Sequence, residues 1–194
     1  MATSKAQRIG IWAIAVLMIV STIAMFVGMV LSMHNQSSDQ QQQADTQKQI
    51  EEYQKQMEEQ AKKNAAASEP LDGYKAESFD AGSVKSLKVE ELKPGTGKAV
   101  TEGSKVTVNY FGWTPNGKIF DSTKKNGEVV PVTGLTIAKG QLIEGWVQGL
   151  NGVKEGAVVK LTIPAELGYG EQGSLPNIQP NEPLMFIIEV KKVQ

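Results

Sequence analysis

The hydrophobic pattern divides the chain into three stretches. From Ile9 to Met33 apolar residues run on with no charge between them. Over residues 39–67 the composition turns to Gln, Glu, Lys and Ala, and the few larger apolar residues (Ile50, Tyr53, Met57, then Ala61) recur at helical spacing. From residue 86 the pattern changes to alternation with period two, broken by most of the chain's glycines and prolines. This layout predicts an anchor over residues 1–34, a stalk and linker over 35–85, and a folded head over 86–194.

As a helix, Ile9–Met33 would be about 37 Å long, enough to cross a hydrocarbon core of about 30 Å with some tilt. Trp12 stands near one end, where an interfacial indole sits well. Lys5 and Arg8 precede the run, and the next basic residue is Lys48. That asymmetry predicts a cytoplasmic amino terminus and an exported remainder, a single-pass membrane protein. A cleavable signal peptide would have a shorter apolar core and a small-x-small site; Ser32-Met33-His34-Asn35 supplies none, so an uncleaved signal anchor is expected.

The stalk predicts a polar helix with favourable pairs at Glu51→Lys55, Glu58→Lys62 and Glu59→Lys63, each contributing about 0.2–0.5 kcal/mol. Its thin apolar stripe is compatible with a short coiled coil, but the seam is brief and weak, and a solvated spacer is the expectation. Ser68, Pro70, Gly73 and Gly82 mark residues 68–85 as a linker able to lie against the head.

In the head, Lys105 to Trp113 alternates, with Val106, Val108 and Tyr110 on one side and Thr107, Asn109 and Phe111 on the other. Pro115-Asn116-Gly117 supplies a tight turn into a return strand over Lys118–Ser122. Further strands are expected over Leu87–Leu92, Ala157–Pro164 and Leu184–Val193. One helix is expected, because Ile143, Trp146, Val147 and Leu150 fall at i, i+3, i+4 and i+7 with Gly152 as a stop. Antiparallel strands with one short helix against a face make an α+β domain.

Composition narrows the chemistry. The formal net charge of −1 argues against nucleic acid as a partner. Cysteine is absent, which excludes disulfides, thiolate metal sites and a lipidated cysteine. His34, the only histidine, follows the apolar run and has no neighbours for metal or triad chemistry. No cofactor and no metal are expected. What remains is a pocket-like set: Tyr110, Phe120-Asp121-Ser122, Leu142-Ile143, Gly145-Trp146, Tyr169-Gly170, Ile178 and Phe186. Such a set holds an apolar substrate and excludes water but offers no nucleophile, which points to catalysis of a conformational change.

Four phrases carry a family likeness: Val108-Asn109-Tyr110-Phe111-Gly112, Gly117-Lys118-Ile119-Phe120-Asp121-Ser122, Gln141-Leu142-Ile143-Glu144-Gly145-Trp146, and Ile163-Pro164-Ala165-Glu166-Leu167-Gly168-Tyr169-Gly170. In this order and spacing they closely resemble the FKBP-type peptidyl-prolyl cis-trans isomerases, over about residues 88–193. The resemblance implies an antiparallel sheet of five to six strands curled around one short helix, with a proline slot between them. It implies Trp146 as the slot floor, Tyr110, Phe120 and Phe186 as aromatic walls, and Leu142, Ile143 and Ile178 as aliphatic surface. The Ile143 N–H and the Tyr169 hydroxyl are the implied donors to substrate carbonyls, and Asp121 is the implied pocket carboxylate, held by Tyr110. Rapamycin-type macrolides are implied as inhibitors.

The departures from the family are local. Lys124–Lys139 is about three residues longer than usual and lacks an aromatic, with Val129 or Val130 in its place. The arginine that usually pairs with the carboxylate is missing, leaving Lys124 or Lys125 to substitute as a point charge. Ser174 and Asn177 stand where histidine and an aliphatic residue are common. Two functions compete: a membrane-tethered isomerase acting on proline-containing segments of unfolded, exported proteins, and a chaperone that grips such segments with little turnover.

Overall fold

The computed structural model describes residues 39–194, with side chains from residue 46. The run Ile9–Met33, expected to cross a membrane, lies outside the described residues, among which no helix is long and apolar enough to do so. Helix α1 covers Asp39–Ala67, the stretch that its spacing predicts. The chain separates into compact units over Met1–Glu59 and Gln60–Gln194. The second begins upstream of residue 86, where the sequence pattern alone placed the head's edge, because residues 68–79 form part of its core.

That unit contains strands β1 (Ser68–Glu69), β2 (Lys88–Lys93), β3 (Lys105–Trp113), β4 (Ile119–Ser122), β5 (Lys124–Lys125), β6 (Glu128–Val129), β7 (Val132–Thr136), β8 (Val158–Ile163) and β9 (Leu184–Val193), with helix α2 over Glu144–Leu150. An antiparallel six-stranded sheet runs β2-β8-β9-β3-β4, and β7 pairs with the beginning of β3 while β4 pairs with its end. Register shifts in the β3/β9 and β2/β8 pairs add local bend and twist.

One sheet face is packed by α2. Phe186 lies opposite Gly112 and Leu161, and Ile188 opposite Tyr110 and Val159, so these residues share that face. A Cβ on Gly145 would stand 2.4 Å from Ile163 Cγ2, and one on Gly149 3.0 Å from Leu161 Cδ1. Two glycines one turn apart therefore let the helix sit close on β8. Trp146, Val147 and Leu150 fill the space beside it, all buried.

The other face is also dry. Phe111, Trp113, Val158 and Ile187 form a second core with Leu71, against which Tyr74, Ala76, Phe79, Ile119 and Met185 pack. Phe111 and Trp113 stack at 5.2 Å, and the Trp113 indole N–H donates to the Glu77 carbonyl at 2.9 Å. The stretch expected to be a linker is thus a covering layer. It carries no regular element longer than the 3-10 turn Ala81–Ser83, so it lacks the periodicity by which buried segments are recognised.

The lengthened segment after Asp121 folds as a hairpin of β5 and β6, closed by Asn126-Gly127 with φ of 51° and 79°. Its free edge recruits β1, pairing Ser68 with Lys125 and Glu69 with Lys124. The Glu69 carbonyl accepts from Ser122 Oγ at 2.6 Å, and its carboxylate from the Gly127 N–H at 3.1 Å.

Candidate active site

Four aromatic side chains from four elements meet on the α2 face. Tyr110 comes from β3, Phe120 from β4, Trp146 from α2 and Phe186 from β9. Phe186 is the hub: its ring centroid lies 5.5 Å from Phe120 and 5.4 Å from Trp146, both edge-on, and 6.5 Å from Tyr110. Tyr110 and Trp146 meet edge-on at 5.1 Å. Edge-to-face contacts are a preferred aromatic arrangement and hold the rings at fixed angles. Gly112 makes the arrangement possible, since a Cβ there would lie 2.5 Å from both Phe120 Cζ and Phe186 Cε1.

The polar edge is built on Asp121. The Tyr110 hydroxyl donates to Asp121 Oδ2, and Lys125 Nζ stands 3.0 Å from Oδ1. Lys124 turns away to Asp72 at 2.7 Å and Glu69 at 3.7 Å. Of the two lysines that could replace the family's arginine, Lys125 is therefore the one on the carboxylate. Strand alternation decides this: adjacent residues of β5 point to opposite sides, and pairing with β1 holds the register.

Burial, and then the Asp121 charge and hydrogen bond, push the Tyr110 hydroxyl well above its ordinary range. Burial and the same carboxylate push Tyr169 up to about 12. Both hydroxyls keep their protons at neutral pH. Tyr169 follows the 3-10 turn Ala165–Leu167, and the chain around it is pinned by Gly170 N–H to Ala165 O (2.8 Å), Gly173 N–H to Tyr169 O (3.1 Å) and Asn181 N–H to Gly170 O (2.8 Å).

The remaining expected residues sit on the neighbouring segments. Leu142 and Ile143, half-buried, lead into α2 one turn before Trp146, whose N–H donates to the Ile143 carbonyl at 3.0 Å. Ile178 is buried at the end of a tight loop in which Ser174 and Ile178 exchange backbone bonds of 2.9 Å in both directions. The Trp146 indole N–H is buried without a hydrogen-bond partner among the described residues. Such an orphan costs about 1–3 kcal/mol, tolerable where a broad flat apolar face is needed. Among the described residues no cluster of His, Cys, Asp and Glu could hold a metal ion.

Sequence reasoning passed over Gly112 and β1. Gly112 stands in a strand otherwise rich in β-branched and aromatic residues, and that placement is the signal of a close approach. The Asn126-Gly127 pair was a legible hairpin signal whose partner strand was not.

The comparisons with known proteins agree with this geometry. The family model described as FKBP-type peptidyl-prolyl cis-trans isomerase matches residues 96–191. The chain is 44% identical over 108 residues to the FK506-binding protein of Neisseria meningitidis (serogroup A / serotype 4A), covering 56% of this chain and 96% of that protein. It is 39% identical over 109 residues to the peptidyl-prolyl cis-trans isomerase Mip of Coxiella burnetii, covering 55% of this chain and 45% of that one. The crystal structure of AtFKBP13 superposes with a TM-score of 0.50 at 31% identity, over 56% of this chain and 93% of that one.

Proposed function

Because the chain belongs to the FKBP-type peptidyl-prolyl cis-trans isomerase family, we propose that Tyr110, Phe120, Trp146 and Phe186 bound a slot that speeds Xaa-Pro rotation by shape, dryness and fixed donors alone. The barrier is the loss of amide resonance, about 18–20 kcal/mol. The planar amide is the more polar form, so a slot that strips water from it disfavours the ground state relative to the twisted one. The prolyl ring rests on the Trp146 face. The Tyr169 hydroxyl and the Ile143 N–H hold the flanking carbonyls, while Leu142, Ile143 and Ile178 complete the apolar surface. Asp121 stays fixed between Tyr110 and Lys125 at the polar edge. Each 1.4 kcal/mol gained in the twisted state is about tenfold in rate, so a few such contacts suffice without proton transfer or a covalent intermediate.

The observation that carries this reading is the cluster of aromatics around Phe186, edge-on from Phe120 and Trp146 and tilted from Tyr110, with the carboxylate beside it already occupied by Tyr110 and Lys125. A carboxylate so engaged is a positioning group rather than a free base. The clients are proline-containing segments of unfolded, exported proteins, and the protein is tethered to the cell membrane by residues 9–33 with the isomerase unit outside the cytoplasm. The uncharged Ile9–Met33 run after Lys5 and Arg8 supports the tether. Rapamycin-type macrolides would compete for the same slot.

A protease-coupled or fluorescence assay with Xaa-Pro peptides tests the activity; a rate equal to the uncatalysed one overturns it. Asp121→Ala and Phe186→Ala separate it from the chaperone reading: loss of turnover with chaperoning retained would favour the chaperone. Sequencing the mature amino terminus tests the tether, which a start beyond Met33 would rule out.

A further inference from the structure

A second concavity begins one residue away from the slot in two places. Ile119 and Asn177, the chain neighbours of slot residues Phe120 and Ile178, line it together with Lys118, with Lys62 and Ala65 at the end of α1, and with Ser68 of β1. Its volume of about 490 Å³ falls within the roughly 300–1,000 Å³ of ligand-binding clefts. Ile119 and Phe120 are adjacent on β4 and point to opposite sides, and Asn177 directly precedes Ile178 in the tight loop, so the same two segments border both the slot and this groove.

Its walls are tied together. The Asn177 amide donates to the Ala61 carbonyl at 3.0 Å, and its oxygen accepts from Lys118 Nζ at 3.5 Å. This joins the end of α1 to the loop carrying Ile178. Small side chains along α1 leave room for a backbone to lie in the groove. The lining carries two ammonium groups, Lys62 and Lys118, and no carboxylate, although the chain as a whole has a formal net charge of −1.

We propose that this groove is a client subsite: it binds a carboxylate-bearing stretch of the same polypeptide whose proline occupies the slot. The inference rests on the isomerase reading for the slot. Two features name the occupant. The shared β4 and loop segments place the occupant a few residues from the proline, passing around the β4 edge, and a lining with two lysines and no carboxylate calls for Asp or Glu within it. Acidic residues near the proline would then strengthen capture, a specificity that a purely apolar slot lacks.

The test uses the full chain and peptides that share one Xaa-Pro bond, with a single Glu, Lys or Ala stepped along both flanks. The neutral peptide reports the slot alone, so a failure of turnover on it sinks the isomerase reading; peptide anisotropy with the same set still reads the groove. At one or two neighbouring positions Glu should raise kcat/KM about two- to fivefold over Ala, mostly through KM, as expected for exposed ion pairs. The gain should fade in high salt, and the Glu-to-Ala ratio should return to one in the Lys62→Glu/Lys118→Glu variant. Equal ratios at every position, or a gain that survives the double reversal, would overturn the proposal. So would concentration-dependent self-association that the double reversal abolishes, which would assign the groove to a second copy of the chain.

Discussion

Lys125 Nζ lies 3.0 Å from Asp121 Oδ1, on the carboxylate whose other oxygen accepts the Tyr110 hydroxyl. The pair is half-buried, so its attraction is only partly screened. Lys125→Met should let Asp121 and Tyr110 shift, lowering kcat/KM about three- to tenfold, equivalent to about 1 kcal/mol. Lys124→Met, whose ammonium serves Asp72 and Glu69 instead, should stay within about twofold. Equal losses in the two variants would contradict the assignment of Lys125 to the site.

The layer formed by Leu71, Tyr74, Ala76 and Phe79 covers Phe111 and Trp113. A fragment starting at residue 86 lacks it and exposes one face of the sheet to water. At about 1.5–3 kcal/mol for each large apolar side chain uncovered, that fragment should lose on the order of 3–6 kcal/mol relative to one starting at residue 60. In the full chain, Leu71→Ala should cost about 2–4 kcal/mol. Urea unfolding followed by tryptophan emission measures both, and coincident midpoints for the two fragments would show that the layer adds nothing.

This layer marks the boundary of what the sequence makes legible. Strands β3, β8 and β9 and helix α2 announce themselves because each repeats its apolar residues at the period of its own geometry. The slot residues are legible for a different reason, since Tyr110, Phe120-Asp121, Trp146 and Tyr169 stand in phrases whose order is specific. Residues 68–79 follow neither route: they bury Leu71 and bond Glu77 to Trp113 through irregular backbone. The alternation in β3 sets Thr107, Asn109 and Phe111 on one side but does not say what covers that side. Phe111 and Trp113 stand on that face, and only knowledge of the cover makes them core. The choice between Lys124 and Lys125 depends on a two-residue pairing with β1 that no local signal announces.

Gly112 sits where a Cβ would lie 2.5 Å from both Phe120 and Phe186. Its extended strand backbone is not the constraint; the rings are. Gly112→Ala should push the two phenyl rings apart while the strand pairs on either side hold the sheet together. The expected result is a loss of at least about tenfold in kcat/KM with a stability cost of about 1–3 kcal/mol, typical of overpacking. Isomerase assay and urea midpoint on the same sample decide it, and unchanged turnover would mean that the rings do not form the slot.

Tyr169 couples the site to alkaline pH. Its hydroxyl is pushed from the ordinary 10.0 to about 12, by burial first and by the Asp121 charge second. The folded state therefore holds this proton more tightly than the unfolded chain does. The associated stability is fully present below about pH 10, and it drains away as pH climbs toward 12, because the unfolded chain ionises first. For one proton over two units the loss is about 2–3 kcal/mol at most, and Tyr110, raised by the same causes, acts in the same direction. Urea midpoints at pH 8 and pH 11 should therefore differ by more in the native protein than in Tyr169→Phe. The same substitution removes a proposed carbonyl donor and should lower kcat/KM at pH 8, where ionisation plays no part. A variant that lost activity but kept the full alkaline slope would separate the two roles and place the titrating group elsewhere.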